Sequence, residues 1–173
     1  MNNTIREKLP DLIELEGDWQ NYIKKVYAIF KKDFIDRKLL YNGLHVGMKK
    51  HPLVDGKEYT FYHITHEGNI ENERTPDLRR CERIGWARPV IENGNKWSLK
   101  IWTQKRNGKT RICIWLELEN EPDYIVILDF RKTYYMLWTA FTLQYDHEKR
   151  KREKEYQEYI KAKAEPGKPN STS

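Results

Sequence analysis

KWSLKIWTQKRNGKTRICIWLEL, residues 96–118, decides the fold class of this chain. Apolar residues alternate on both sides of Arg106-Asn107-Gly108-Lys109, and Asn-Gly is the two-residue turn whose twist matches a pair of antiparallel strands. Folded there, Trp97, Leu99 and Ile101 share one face with Ile112, Ile114, Leu116 and Leu118, while Lys100, Trp102, Arg111 and Trp115 share the other. Two indoles interleaved with two cations suit a nucleic-acid platform, since every base offers a face for stacking and every nucleotide a phosphate. They equally suit packing beneath a covering helix, and both readings stand.

Beyond the hairpin, Tyr124–Leu128 (YIVIL) is an apolar run fit for a central strand buried on both faces, and Thr133–Tyr145 supplies a further strand. Before it, Trp19, Ile23, Val26, Tyr27, Phe30 and Phe34 recur at three- and four-residue steps, predicting an amphipathic helix over Asp18–Arg37 with a core-facing stripe. Leu39–Gly56 reads as a loop-rich connector holding His45 and His51. Glu58–Thr65 (EYTFYHIT) has strand composition, with Tyr59, Phe61, His63 and Thr65 on one face. Asp146–Lys163 is a charged helix by propensity. Helices first and then an antiparallel meander make an α+β domain over 18–164, with an N-terminal extension over 1–17 and a disordered tail over 165–173.

Between helix and meander lies RTPDLRRCERIGWARPVIEN, residues 74–93, in which five residues are arginine. Thr75-Pro76-Asp77 predicts a helix start with Thr75 as N-cap, running to about Ile84. Leu78, Cys81 and Ile84 then face the core, and Arg79, Arg80, Glu82 and Arg83 cover the remaining circumference. Gly85 stops the helix, and Arg88-Pro89 predicts an extended segment, because the residue before proline is pushed out of the helical region. Guanidinium groups beside an indole suit phosphates and bases. Snorkelling arginines around a core Trp86 are the plainer alternative.

The chain carries a net charge of +6, and 34% of its residues are charged, against about 25% in average proteins. Together with six Trp and eleven Tyr, this favours an anionic partner, nucleic acid rather than a membrane surface. Cys81 and Cys113 lack metal spacing, and the N-terminus MNNTIREKLP lacks an apolar leader, so a reduced, cytoplasmic setting is expected. No metal-site spacing, phosphate loop, dinucleotide fingerprint or nucleophile elbow is present, and no cofactor is expected. What remains is acid/base chemistry on an RNA phosphodiester, whose ribose hydroxyl is its own nucleophile. His63, which a half-buried structural role would also explain, the central arginines and a hydroxyl from the last strand are the groups available.

The succession of amphipathic helix, FYHITHEG, PDLRRCERIGWARPVIEN, meander and LWTAFTLQY resembles the phage-associated nucleases of the barnase, EndoU, colicin and RelE-like superfamily, from about Trp19 to Tyr159. The resemblance implies a curved antiparallel sheet and metal-independent RNA cleavage. It implies His63 as general acid or base, Arg80 and Arg83 as phosphate ligands, and Thr139 as a hydroxyl near the scissile phosphate. Arg79, Arg88 and Tyr145 are further candidates, and Trp86 stacks on a base or anchors its helix. Glu82 and Glu92 are the alternatives for the carboxylate base that some members use. RNA is the implied partner, with a protein inhibitor or mobile-element partner as a second. Catalysis requires His63, Arg83 and Thr139 to converge in one cleft. A non-catalytic nucleic-acid-binding protein needs no convergence, and an inhibitor or adaptor module would show an exposed apolar patch larger than the basic one.

Overall fold

The computed structural model describes residues 3–165, so the tail expected to be disordered lies, from residue 166 onward, outside the described residues. After α1 (Asn3–Arg6), Asp18 caps α2 (Trp19–Lys31), its carboxylate accepting from Asn21 N at 2.8 Å. Of the expected stripe Val26, Phe30 and Phe34 are buried and Trp19, Ile23 and Tyr27 half-buried, while Tyr22, outside it, is buried as well. The helix continues through one π-turn, Lys32–Asp36. The connector holds β1 (Leu40–Tyr41) and β2 (Leu44–Gly47), and α3 (Tyr59–Thr65), β3 (His66–Glu67), β4 (Thr75–Pro76) and α4 (Leu78–Glu82) follow. A 3-10 turn over Ile84–Trp86 leads into α5 (Ala87–Asn93). The remainder is β5 (Lys100–Arg106), β6 (Lys109–Leu116), β7 (Asp123–Phe130), β8 (Tyr135–Leu143) and α6 (Asp146–Ala164).

The α+β expectation holds. The last four strands form an antiparallel meander within a strongly curled, half-barrel sheet ordered β1-β2-β8-β7-β6-β5, in which β2 joins β8 in parallel. Asn107 and Gly108 both take positive φ, 52° and 72°, as the two-residue hairpin turn demands. On one face Ile114, Leu116, Val126, Leu128 and Leu137 pack in the main core with α2 and α5. On the other, Trp102, Cys113, Trp115, Ile125, Ile127 and Leu143 form a second cluster, with Tyr156 and Tyr159 of α6 against it.

Three local expectations are corrected. The strand expected over Glu58–Thr65 is helix α3: Phe61, Ile64 and Thr65 fall on one helical face and are buried. Thr65 Oγ1 donates to Phe61 O at 2.7 Å, so the β-branched residue is accommodated by bonding back to its own helix. The extended segment expected from Arg88-Pro89 is helix α5, since Pro89 falls in the first turn, where a missing N–H costs no helical bond. Thr75-Pro76 pairs with β3, and Asp77 is the N-cap of α4, accepting from Arg79 N at 3.0 Å and Arg80 N at 3.4 Å. Starting the helix later turns Leu78 outward, 39% exposed, instead of into the core.

The N-terminal extension is stitched to the domain. Trp86, fully buried, donates its indole N–H to Pro10 O at 2.8 Å, and Ile13 N donates to Glu82 O at 3.1 Å. Leu9 is buried with them. Trp86→Ala therefore removes a large core side chain and the anchor of the strap, and is expected to lower stability by about 3–5 kcal/mol. Leu78→Ala is expected to change it by about 0.5 kcal/mol or less. Urea denaturation of the two variants measures both.

Candidate active site

The site is built at the C-terminal end of α3. A seven-residue helix leaves its last carbonyls without helical partners, and arginines from the following segment supply them. Arg74 donates through Nη2 to His63 O at 3.1 Å and to His66 O, and through Nη1 to Gly68 O at 2.9 Å. Arg80 Nη1 adds a bond to His63 O at 3.4 Å, while its Nε pairs with Asp77 at 3.2 Å. Asp77 N closes Thr65 O at 2.9 Å. Positive charge at a helix C-terminus also opposes the negative end of the helix dipole.

This fixes the His63 ring, whose side chain is 13% exposed, between two aromatic residues. Tyr59 stacks against it at 6.2 Å and Trp138 lies tilted at 5.2 Å. Glu71 Oε1 is 3.5 Å from His63 Nδ1 and accepts from the Tyr59 hydroxyl, while Tyr62 OH donates to Glu71 O at 2.9 Å. Burial and the neighbouring Arg74 charge lower the His63 pKa, against the upward pull of Glu71. Burial acts to raise the Glu71 pKa, but the Tyr59 hydrogen bond, His63 and Arg74 outweigh it and leave it lowered. A neutral His63 with its Nδ1–H toward Glu71 keeps a lone pair on Nε2, the state of a general base.

Trp138 reaches His63 because β8 is irregular there. Ile127 pairs with Thr139 but the next residue, Leu128, pairs with Leu137, so Trp138 is the extra residue of a bulge. Bulges re-aim side chains. The Arg111 guanidinium lies 4.3 Å over the Trp138 ring and the Lys109 ammonium 5.7 Å from it. Phe141 lies between Arg80, at 5.5 Å, and Arg152 of α6, at 5.6 Å. Imidazole, indole and guanidinium groups thus follow one another from α3 across β8 to β6.

Of the residues singled out in the sequence, His63 and Arg80 come together, and Arg111 joins them through Trp138. Thr139 is buried next to Trp138, opposite Ile127 on the face that α6 shares. Arg83 does not join this cluster through any contact it makes. It is buried, with Nη1 bonded to Arg79 O at 3.1 Å and to Glu82 at 3.2 Å, and its guanidinium 5.2 Å over Trp86. The convergence expected of His63, Arg83 and Thr139 is therefore not formed around Arg83, because a core indole and Glu82 hold it.

Arg88 is likewise buried, donating to the carbonyls of Asp33, Arg37 at 3.1 Å and Lys38 at 3.0 Å and pairing with Glu92. It braces the π-turn and occupies the carboxylate of Glu92. Trp86, Trp102 and Trp115 are buried packing elements, the last two because α6 covers their face: Tyr156 lies 5.9 Å from Trp102. Lys100 sits between Glu117 at 3.0 Å and Glu153 at 2.6 Å, 4.7 Å over Trp115. Arg79 and Tyr145 are exposed, Arg79 bonded to Gln144 and Tyr145 stacked 5.7 Å from His147. Glu71, Arg74 and Trp138 are the site residues that sequence reasoning passed over.

Among the described residues, no group of three or more His, Cys, Asp or Glu side chains is placed to hold a metal ion, and no helix is long and apolar enough to cross a membrane. Comparison of the chain with protein-family models, with curated proteins and with solved structures found no match.

The lowered His63 pKa means that the unfolded chain takes up its proton first. The contribution of this residue to stability is thus complete above the unfolded value, about 6.5, and is lost as pH falls through the folded value. NMR titration of the His63 ring is expected to give a midpoint below 6.5, and Glu71→Gln, which removes an upward influence, is expected to lower it further.

Proposed function

We propose that the protein is a metal-independent ribonuclease-like protein that binds RNA and cleaves it by transesterification, in the cytoplasm and in a phage or mobile-element setting. The observation that carries this reading is His63, kept near neutral and oriented by Glu71, beside Trp138 and the guanidinium of Arg111. In this reading His63 Nε2 takes the proton of the ribose 2′-hydroxyl. The freed oxygen attacks phosphorus and the bond to the 5′-oxygen breaks, leaving a cyclic phosphate on one product and a hydroxyl on the other, protonated from solvent. Arg80 and Arg111 offset the charge that grows on the phosphate. A flanking base would stack on Trp138 or Tyr59 by displacing the cation that lies over each ring, Arg111 and Lys49. Thr139 adjoins the site, and Arg79 and Tyr145 extend it toward α6. An inhibitor or mobile-element partner would cover this cleft.

The test is incubation of the full chain with mixed cellular RNA in EDTA, with analysis of product ends. Cyclic-phosphate ends are expected, with cleavage by His63→Ala reduced about 100-fold or more. Arg111→Ala is expected to weaken binding and flatten its salt dependence by roughly one phosphate contact. Salt-sensitive binding without cleavage would favour the non-catalytic binding protein instead, and cleavage by His63→Ala at the wild-type rate would remove His63 from the reaction.

A further inference from the structure

A second cleft, sharing no residue with the His63 cluster, lies between the N-terminal strap, the π-turn and α5. It encloses about 310 Å³, within the range of small-molecule sites. Asp33 lines it, 6% exposed, and its nearest cation, Arg37 Nη1, stands 3.9 Å from Oδ1, beyond hydrogen-bond distance. Arg88, also on the lining, is already committed to backbone carbonyls and Glu92. Among the described residues no donor reaches this carboxylate, and what exposure it keeps is to the cleft, where a ligand donor would find it unpartnered. The π-turn, a feature that recurs at functional sites, carries it.

The surroundings restrict what that donor is. A cationic head group would meet Arg37, Arg88 and Lys32, whose charges already act on Asp33, so a neutral N–H donor fits better. The rim carries Lys8, Lys32 and Arg37, all exposed, opposed by Asp11. An anion attached to the donor matches this balance. Between them the walls are apolar and flat: Pro10, Ile13, Ile29 and Pro89 line the cleft. Gly85 adds a position without a side chain to the lining. A planar ring carrying an exocyclic amino group, joined to a phosphate, meets all three requirements.

We infer that this cleft binds a nucleoside monophosphate with an amino-bearing base, the amino group donating to Asp33 and the phosphate resting among Lys8, Lys32 and Arg37. The inference is independent of RNA cleavage at His63. Adenine, cytosine and guanine carry the exocyclic amino donor, whereas uracil has only its ring N3–H, flanked by two carbonyl oxygens that an Asp33 carboxylate would repel.

Isothermal titration of the full chain with AMP, CMP, GMP, UMP and inorganic phosphate tests it. Saturable binding of at least one amino-bearing nucleotide is expected, about tenfold or more tighter than UMP or phosphate. Asp33→Asn should weaken that binding about tenfold by halving the acceptor capacity. Arg37→Ala, at an exposed side chain that leaves the fold intact, should weaken it as well, and His63→Ala should leave it unchanged. Equal affinity for UMP or phosphate, binding unaltered in both cleft variants, absence of saturation at millimolar concentration, or loss in His63→Ala would each overturn the assignment.

Discussion

Arg74 is the side chain on which the geometry of the candidate site depends. One guanidinium closes the carbonyl of His63 in the last turn of α3 and those of His66 and Gly68 just beyond it. Arg80 adds a second donor to the same His63 carbonyl. A hydrogen bond from a charged donor contributes roughly 1.5–3 kcal/mol, so these bonds matter to a helix whose N-terminus has no side-chain cap. The same charges act on the ring above. Burial is the first cause of the lowered His63 pKa, and these charges add to it, so the group that ends the helix also contributes to the chemistry of the histidine it carries.

The curled sheet separates two tasks. Its inner face carries the main core with α2 and α5, while α6 covers part of the outer face and buries Trp102 and Trp115. What remains at the β8 edge is bounded by His63, Trp138, Arg111 and Phe141, with Arg80 and Arg152 on either side of the last. The bulge is the link: without the extra residue, the indole would follow the alternation of β8 instead of reaching α3. Aromatic faces among guanidinium groups therefore occur here rather than on the platform that α6 occupies, and the RNA-binding proposal rests on them.

The hairpin, the central strand, the amphipathic α2 and the terminal α6 were legible in the sequence because each is long and its period is unambiguous. EYTFYHIT was not, since its aromatic and β-branched residues favour a strand, while the helical spacing of Phe61, Ile64 and Thr65 covers only about one turn. Arg88-Pro89 misleads for a related reason: the proline rule is a bias that the first turn of a helix escapes. His63 and Arg80 were recognisable as chemistry, but Glu71 opens a single 3-10 turn, Glu71–Glu73, too short for periodicity to describe. Trp138 depends on a register shift between strands. Arg83 and Arg88 look like ligands in sequence but are buried and held internally, Arg83 by the Arg79 carbonyl, Glu82 and the Trp86 ring, and Arg88 by three backbone carbonyls and Glu92.

The central claim is that RNA docks at the α3–β8 edge, with His63 at its chemical centre. NMR of the full chain with an oligoribonucleotide carrying 2′-deoxy substitutions, which cannot undergo transesterification, tests it most directly. Shifts concentrated at His63, Glu71, Arg80, Arg111 and the Trp138 indole, with the Trp102 and Trp115 indoles unmoved, are the predicted result. Shifts confined to α6, or to the opposite cleft around Asp33, would contradict it.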